Sequence, residues 1–232
     1  MTTIGLLVVG HIDPASLHVG GDYPELFRDL LGPVGIEVQP FACDAGFVPA
    51  SITDCDAWLC SPSRASVYDD HPWIEPVAEV IRACVAAERP YIGVCFGHQL
   101  LAQALGGSVE RAAHGWGIGA QDYEIVVPQP WMQPATSTLR LAASHQDQVV
   151  RQPPGTEVIA RADYCPIAGL RAGERAWSLQ AHPELSPELA DSLLVTRTPL
   201  FGEAAAHRAR ATLTQPLDRH LFAQWVAAFL AR

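Results

Sequence analysis

One cysteine is framed by two glycines at a point where a strand should turn directly into a helix. Cys95 stands in the pattern Gly93-x-Cys95-x-Gly97, after the apolar run of residues 91–94 and before the helical pattern of residues 97–105. A strand that turns at once into a helix strains the backbone of its turning residue, and side chains two positions before and after would collide there. The pattern therefore predicts a nucleophile elbow with cysteine in place of serine.

The predicted turn would put the sulfur of Cys95 at the N-terminus of a helix. Exposed N–H groups and the helix dipole favour a thiolate there, and the N–H of Phe96 would point to where an oxyanion forms. A buried structural cysteine is the alternative interpretation. We prefer that interpretation for three other cysteines, which are Cys43, Cys84 and Cys165.

A cysteine nucleophile needs a base, and the base needs a group that orients it. His182 and Glu184 follow the predicted strand of residues 177–180, and Pro183 between them favours an extended backbone. In an extended chain, residues two apart project to the same side, so the carboxylate can hydrogen-bond the imidazole. A loop histidine beside a solvated glutamate is the simpler alternative, and His98, three residues after the cysteine, is a competing base.

Composition limits the classes to which the chain can belong. It has 232 residues, 49% of them hydrophobic, and a formal net charge of −10. We expect a single domain over residues 1–232 with a helical C-terminal extension over residues 186–232. The acidic balance argues against nucleic acid as the main partner. Without a basic N-terminal segment or an apolar stretch of about 18 residues, we expect a soluble, cytoplasmic chain with no membrane partner.

The six cysteines are irregularly spaced, which predicts neither a disulfide framework nor a metal site. Strand-like and helix-like segments alternate, so we predict an α/β fold with a mostly parallel central sheet flanked by helices, which binds ligands after strand ends. The predicted strands cover residues 4–9, 36–41, 57–60, 91–94, 123–127, 139–143, 157–162 and 177–180. Predicted helices cover residues 24–31, 73–88, 97–105 and 217–230, with another that begins after an N-cap at Ser186.

The two chemical motifs together resemble class I glutamine amidotransferase domains, in the branch of stand-alone glutaminase domains that are similar to those of GMP synthases. The resemblance covers about residues 4 to 185. It is carried by Gly93-Val94-Cys95-Phe96-Gly97-His98-Gln99 and Gln180-Ala181-His182-Pro183-Glu184, and by four further pieces in the expected order: Ser61-Pro62-Ser63, Ser66-Val67-Tyr68-Asp69-Asp70, Gly115-Trp116-Gly117 and His145-Gln146-Asp147.

The resemblance implies the flavodoxin-like fold of class I glutaminases and a role for each matching residue. Cys95, His182 and Glu184 would form a catalytic triad. Backbone N–H groups of Phe96 and Ser61 would form the oxyanion hole.

The resemblance also implies substrate contacts. Gln99, His145 and Gln146 would bind the substrate. The chain departs from the family where Cys60 and Ser61 stand at positions usually held by glycine, which puts the oxyanion hole in question. It contains no P-loop and no pyrophosphatase loop of the Ser-Gly-Gly type, so we do not expect it to bind ATP by those routes. No set of histidines, cysteines or carboxylates has the spacing of metal ligands, so we expect neither a cofactor nor a bound metal.

The resemblance implies hydrolysis of the glutamine side-chain amide through a γ-glutamyl thioester, with ammonia passed to a separate, unidentified synthetase subunit. A γ-glutamyl peptidase that uses the same triad with a larger leaving group is the first alternative. A catalytically silent regulatory module that keeps the fold is the second.

Overall fold

The structure is a computed structural model that describes residues 2–232. Its strands are β1 (Thr2–Val8), β2 (Ile36–Ala42), β3 (Ala57–Cys60), β4 (Tyr91–Val94), β5 (Ser108–Arg111), β6 (Gly117–Ile125), β7 (Thr138–His145), β8 (Asp147–Arg151), β9 (Thr156–Ala162), β10 (Cys165–Ala172) and β11 (Ala176–Leu179). Its helices are α1 (Leu17–Gly20), α2 (Tyr23–Leu31), α3 (Ile74–Ala86), α4 (Phe96–Ala104), α5 (Pro187–Thr196), α6 (Thr198–Phe201), α7 (Glu203–Thr212) and α8 (Arg219–Leu230).

A nine-stranded sheet in the order β2-β1-β3-β4-β11-β10-β9-β6-β7 forms the centre of the fold, and β5 pairs with β8 in a separate ribbon. The five strands from β2 to β11 are parallel, and the remaining pairings are antiparallel. Val94 pairs with Leu179 at the ends of β4 and β11. The residues that follow these two strands, which include Cys95 and His182, therefore lie side by side, as a common active site requires. The predicted α/β fold is confirmed.

Two helix starts show how local sequence sets the elements. Asp22 caps α2 by accepting from the N–H of Tyr23, and the Glu25 side chain accepts from the Asp22 N–H, which completes a capping box. Ser186 Oγ accepts from the N–H of Leu189 at 3.1 Å and starts α5, as predicted. None of the helices in residues 2–232 combines the length and the apolar character that a bilayer crossing requires.

Helices cover both faces of the sheet, and the side chains of β1 therefore alternate between two buried clusters. Ile4 and Leu6 pack with residues of α2, α5 and α8, whereas Leu7 packs with residues of α3 and α4. The C-terminal helices share the first cluster with the sheet. Trp177 of β11 lies with its ring centroid 4.4 Å from that of Trp131, and Phe229 of α8 packs on both rings.

The sequence patterns missed three strands, β5, β8 and β10, and began β6 six residues late. β8 opens with the polar pair Asp147-Gln148, and β10 contains Pro166 and Gly169, so their composition does not favour a strand. Pairing with β5 and with β9 holds them extended nonetheless. Tertiary pairing outweighs local propensity at these positions.

Candidate active site

Cys95 lies between β4 and α4 in a strained backbone conformation. Its φ of 51° and ψ of −99° fall in a region that residues with a side chain rarely adopt. A Cβ on Gly93 would lie 2.5 Å from the carbonyl oxygen of Gly97, and a Cβ on Gly97 would lie 2.6 Å from that of Cys60. Both glycines are therefore required by close backbone approach, which is the geometry predicted for the elbow.

The turn leaves the sulfur of Cys95 at the N-terminus of α4. Phe96 is the first residue of that helix, so its N–H has no acceptor within the helix. The N–H of Cys95 itself donates to the carbonyl of Leu179 in β11 at 2.9 Å. The arrangement fixes the cysteine beside an unsatisfied donor and the positive end of a helix dipole, both of which stabilise negative charge.

His182 and Glu184 are held together directly after β11. His182 Nδ1 lies 2.7 Å from Glu184 Oε1, and both side chains are buried. The N–H of His182 donates to Ala142 of β7 at 2.9 Å, and Arg219 of α8 donates to the carbonyls of Pro183 and Glu184. The predicted pairing of imidazole and carboxylate is therefore present and is anchored from two sides.

The pKa of His182 is affected by the neighbouring Cys95. Burial alone lowers the pKa of His182, but the negative charges of Cys95 and Glu184 favour the imidazolium and raise it to about 10. His182 Nε2 is buried and has no hydrogen-bond partner in residues 2–232. A ring nitrogen in this state next to a thiol is available to exchange a proton.

His98, the competing base, is engaged elsewhere. Its Nδ1 lies 2.8 Å from Ser178 Oγ and its Nε2 lies 3.0 Å from the carbonyl oxygen of Ile167. Burial lowers the His98 pKa to about 4, so the ring is neutral. Both nitrogens already have partners, which favours His182 as the base.

Two glutamines connect the cysteine to the loop that follows β7. Gln180 Nε2 donates to the sulfur of Cys95 across 3.5 Å. Gln99 Nε2 donates to Gln180 Oε1 at 3.2 Å and to the carbonyl of Asp147 at 2.8 Å. Gln180 belongs to the motif of residues 180–184, but the sequence does not indicate its role, because only the tertiary structure brings its amide to the sulfur.

Ser61 does not fit its predicted role as an oxyanion donor. Its N–H donates to the carbonyl of Leu7 at 3.0 Å, as part of the contact between β1 and β3. Ser63, two residues later, lines the cavity at Cys95, and in residues 2–232 its N–H has no acceptor. Gly10 allows the approach of this loop, since a Cβ there would lie 2.9 Å from Ser63 Cα. The N–H of Ser61 is therefore engaged within the sheet, and Ser63 of the same loop is the candidate donor to an oxyanion.

A cavity of about 190 Å³ opens at Cys95. The three predicted substrate-binding residues, Gln99, His145 and Gln146, line it. The ring of His145 pairs with the carbonyl of Asp147 at 3.0 Å, and burial lowers its pKa to about 3, so it is neutral. The structure thus places all three residues in the same cavity as the predicted nucleophile.

Several cavity residues were not predicted. Arg197 lies between α5 and α6, and Leu200 belongs to α6. Arg64 lies in the loop after β3, and Arg111 is the last residue of β5. Nothing in the sequence marks these residues as part of the site, apart from their basic or apolar character and their position near the motifs. Trp116, which lines the same cavity and belongs to a motif quoted above, packs edge-on against Phe201 with ring centroids 5.0 Å apart.

The other cysteines lie in a different environment. All six thiols are free and buried. Burial raises the pKa of Cys43, Cys84 and Cys165 to about 12, which keeps them protonated at neutral pH. Within residues 2–232, no cluster of three or more histidine, cysteine, aspartate or glutamate residues could hold a metal ion.

Sequence comparisons with known proteins give one family and several relatives. The sequence model of the glutamine amidotransferase class-I family matches residues 19–198. γ-Glutamyl peptidase 3 of Arabidopsis thaliana is 25% identical over 221 residues, which cover 90% of this chain and 89% of that protein. A glutamine-hydrolysing GMP synthase of Pyrobaculum aerophilum is 30% identical over 170 residues, 73% of this chain but only 32% of that protein.

Solved structures share the fold. A glutamine amidotransferase from Thermotoga maritima superposes with a TM-score of 0.79 at 17% identity, over 100% of this chain and 98% of that one. A glutamine amidotransferase from Methylobacillus flagellatus gives a TM-score of 0.74 at 23% identity, over 100% and 93%. With the family match spanning most of its length, the chain belongs to the class I glutamine amidotransferases.

Proposed function

We propose that the chain hydrolyses a γ-glutamyl amide bond, with Cys95 as nucleophile, His182 as general acid and base, and Glu184 as the group that orients the imidazole. One observation carries the proposal. His182 is buried with Nδ1 held 2.7 Å from Glu184, its Nε2 is left unpaired, and it lies near a cysteine in a strained strand-to-helix turn.

The reaction proceeds in two halves. The thiolate of Cys95 attacks the γ-carbonyl carbon, a carbon–sulfur bond forms, and His182 protonates the departing nitrogen as the carbon–nitrogen bond breaks. Water then attacks the γ-glutamyl thioester, gives its proton to His182, and releases glutamate and the thiolate. Backbone N–H groups of Phe96 and Ser63 stabilise the oxyanion in both halves.

Glutamine as substrate would make ammonia the leaving group, and the ammonia would pass to a separate synthetase subunit. Similarity to glutamine-hydrolysing GMP synthases supports this version. The match covers about a third of the Pyrobaculum relative.

A γ-glutamyl amino acid or peptide as substrate is the second candidate, and two observations favour it. The similarity to a γ-glutamyl peptidase extends over almost the full length of both chains. The C-terminal helices also contribute Arg197 and Leu200 to the wall of the cavity, so the chain itself encloses the space beside Cys95. An enzyme that does not need a docked partner to complete its site would have this arrangement.

Steady-state kinetics of the purified chain on glutamine and on γ-glutamylglycine test both versions, with glutamate and ammonia measured separately. We expect release of glutamate with both substrates and loss of all turnover in Cys95→Ser. A preference of about tenfold or more for the dipeptide, which corresponds to roughly 1.4 kcal/mol, identifies the peptidase. Absence of turnover on either substrate, with Cys95 unreactive toward a glutamine-like electrophile, would contradict the proposal and favour a silent regulatory module.

A further inference from the structure

The cavity at Cys95 is positively charged in a chain that is strongly acidic overall. Arg64, Arg111 and Arg197 line it, and Asp147 is its one lining acid among the described residues. The chain as a whole has a formal net charge of −10. Clustering of cations in a cleft with low-dielectric walls concentrates anionic ligands there.

Arg197 is the member of this set that most needs an anion. It is half-buried, its Nη1 donates to Ser144 Oγ at 3.3 Å, and its Nε is buried without a partner. Among residues 2–232 no Asp or Glu forms an ion pair with Arg197, and Asp13, whose charge also acts on it, pairs with Arg64 at 3.7 Å. A cation that is removed from water without a matching anion destabilises the folded state.

Arg197 lines the same cavity as Cys95, and the charge of Cys95 affects the pKa of Arg197. Burial lowers the pKa of the Arg197 guanidinium, and the positive charge of Arg64 lowers it further, whereas Cys95 raises it. Arg197 and Arg64 are therefore two neighbouring cations close to the nucleophile. Arg111 and Asp147 form a separate pair of charges near the hydroxyl of Tyr68.

Glutamine and a γ-glutamyl amino acid differ in the number of charged groups that they bring into the cavity. The glutamyl head carries one ammonium and one carboxylate, which match Asp147 and Arg111 in the cavity. Arg197 still requires an anion after this assignment, because Arg64 already pairs with Asp13 at 3.7 Å. Glutamine has none to offer, because its leaving group is ammonia, whereas a γ-glutamyl amino acid brings a second carboxylate on its leaving group.

We propose that Arg197, assisted by Arg64, binds a carboxylate on the leaving group, so that the preferred substrates are γ-glutamyl amino acids or peptides with a free carboxylate next to the scissile amide. The inference rests on the proposed function and assigns its substrate class. Arg197 is then a specificity-determining residue.

The decisive comparison uses γ-glutamylglycine and γ-glutamylglycinamide, which differ only in the carboxylate of the leaving group. We expect the wild-type kcat/KM to favour the free carboxylate by about tenfold or more, as charge-assisted hydrogen bonds require. Arg197→Gln should remove this preference, so that kcat/KM falls at least about tenfold more for γ-glutamylglycine than for its amide or for glutamine. Arg197→Lys should retain part of the preference, because it keeps the charge but loses the bidentate geometry.

Two control variants separate the subsite from a general change in charge. Arg111→Gln should weaken glutamine and γ-glutamylglycine together, because both carry the glutamyl head. Arg208→Gln removes a cation from the exposed face of α7, outside the cavity, and should leave the preference unchanged. Equal losses on all substrates in Arg197→Gln would overturn the inference, as would a wild-type enzyme without preference for the carboxylate.

A binding measurement makes the test independent of turnover. Calorimetry on Cys95→Ala should give tighter binding of γ-glutamylglycine than of its amide, and adding Arg197→Gln should abolish the difference. Equal binding of both compounds to Cys95→Ala would overturn the subsite. Unequal binding by a chain that hydrolyses none of these amides would retain the subsite and contradict the proposed reaction instead.

Discussion

The side-chain amide of Gln180 donates a hydrogen bond to the sulfur of Cys95 across 3.5 Å. The two residues are 85 positions apart in the chain, and they meet because β4 and β11 are parallel neighbours that end in register. A donor aimed at the sulfur stabilises the thiolate relative to the thiol.

Replacement of this donor should slow the reaction of the cysteine. In Gln180→Leu we expect kcat/KM to fall about tenfold, the cost of one hydrogen bond to a charged group, with a similar fall in the rate of alkylation by iodoacetamide at neutral pH. Gln99 keeps its bond to Asp147 at 2.8 Å in this variant, so the cavity loop stays in place. An exposed control, Gln152→Leu, should react at the wild-type rate; equal reactivity of Gln180→Leu would refute a role for the amide.

A diazo-ketone analogue of glutamine should label the chain once, at Cys95. Cys95 lines the cavity at the start of α4, whereas burial raises the pKa of Cys84 and Cys165 to about 12. Peptide mass mapping locates the label, and Cys95→Ser should remain folded and unlabelled. Modification at Cys84 or Cys165 in the wild-type chain would contradict the assignment.

His182→Ala should be damaged more than Glu184→Gln. The imidazole transfers the proton in both halves of the reaction, whereas the carboxylate orients it and stabilises its charged form. We expect a loss in kcat of about 10³-fold or more for the first variant and about 10- to 100-fold for the second. Equal loss in both, with circular dichroism unchanged, would mean that Glu184 takes a direct part in the chemistry.

The stability that His182 contributes should decline as the pH rises. Its pKa in the folded chain is raised from 6.5 to about 10, so protonation stabilises the folded state. This contribution is fully present below about pH 6.5 and is lost as the pH rises through about 10. The difference in Tm between the wild type and His182→Gln should therefore shrink between these limits. A difference that grows with pH would show that the histidine is buried neutral.

Gly97→Ala should destabilise the fold and distort the elbow. The added Cβ would lie 2.6 Å from the carbonyl oxygen of Cys60 and 2.8 Å from its Cβ, so β3 would have to move. Overpacking of this kind costs about 1–3 kcal/mol, which thermal or urea unfolding would detect. Gly32→Ala is the matched control. Gly32 has a helical φ of −56°, and a Cβ added there would meet no other heavy atom within 4 Å. Comparable losses in both variants would remove the steric explanation.

Local sequence alone determined the parts of the site that span only a few residues. The glycine frame of Cys95 follows from the sterics of one strand-to-helix turn, and the pairing of His182 with Glu184 follows from an extended backbone at Pro183. Both involve neighbours within four positions, and only the close approach of Gly97 to Cys60 adds a contact with a distant strand. The same holds for the cap at Ser186 and for the alternation of elements that predicts an α/β sheet.

Tertiary structure decided the relationships between distant segments. It committed the Ser61 N–H to Leu7 and left Ser63 in the cavity, it brought Gln180 to the sulfur, and it added Arg197 from the C-terminal helices. It also imposed extended structure on β8 and β10 against their composition. These outcomes depend on strand order and on packing between residues far apart in the chain, and no local propensity or spacing carries that information.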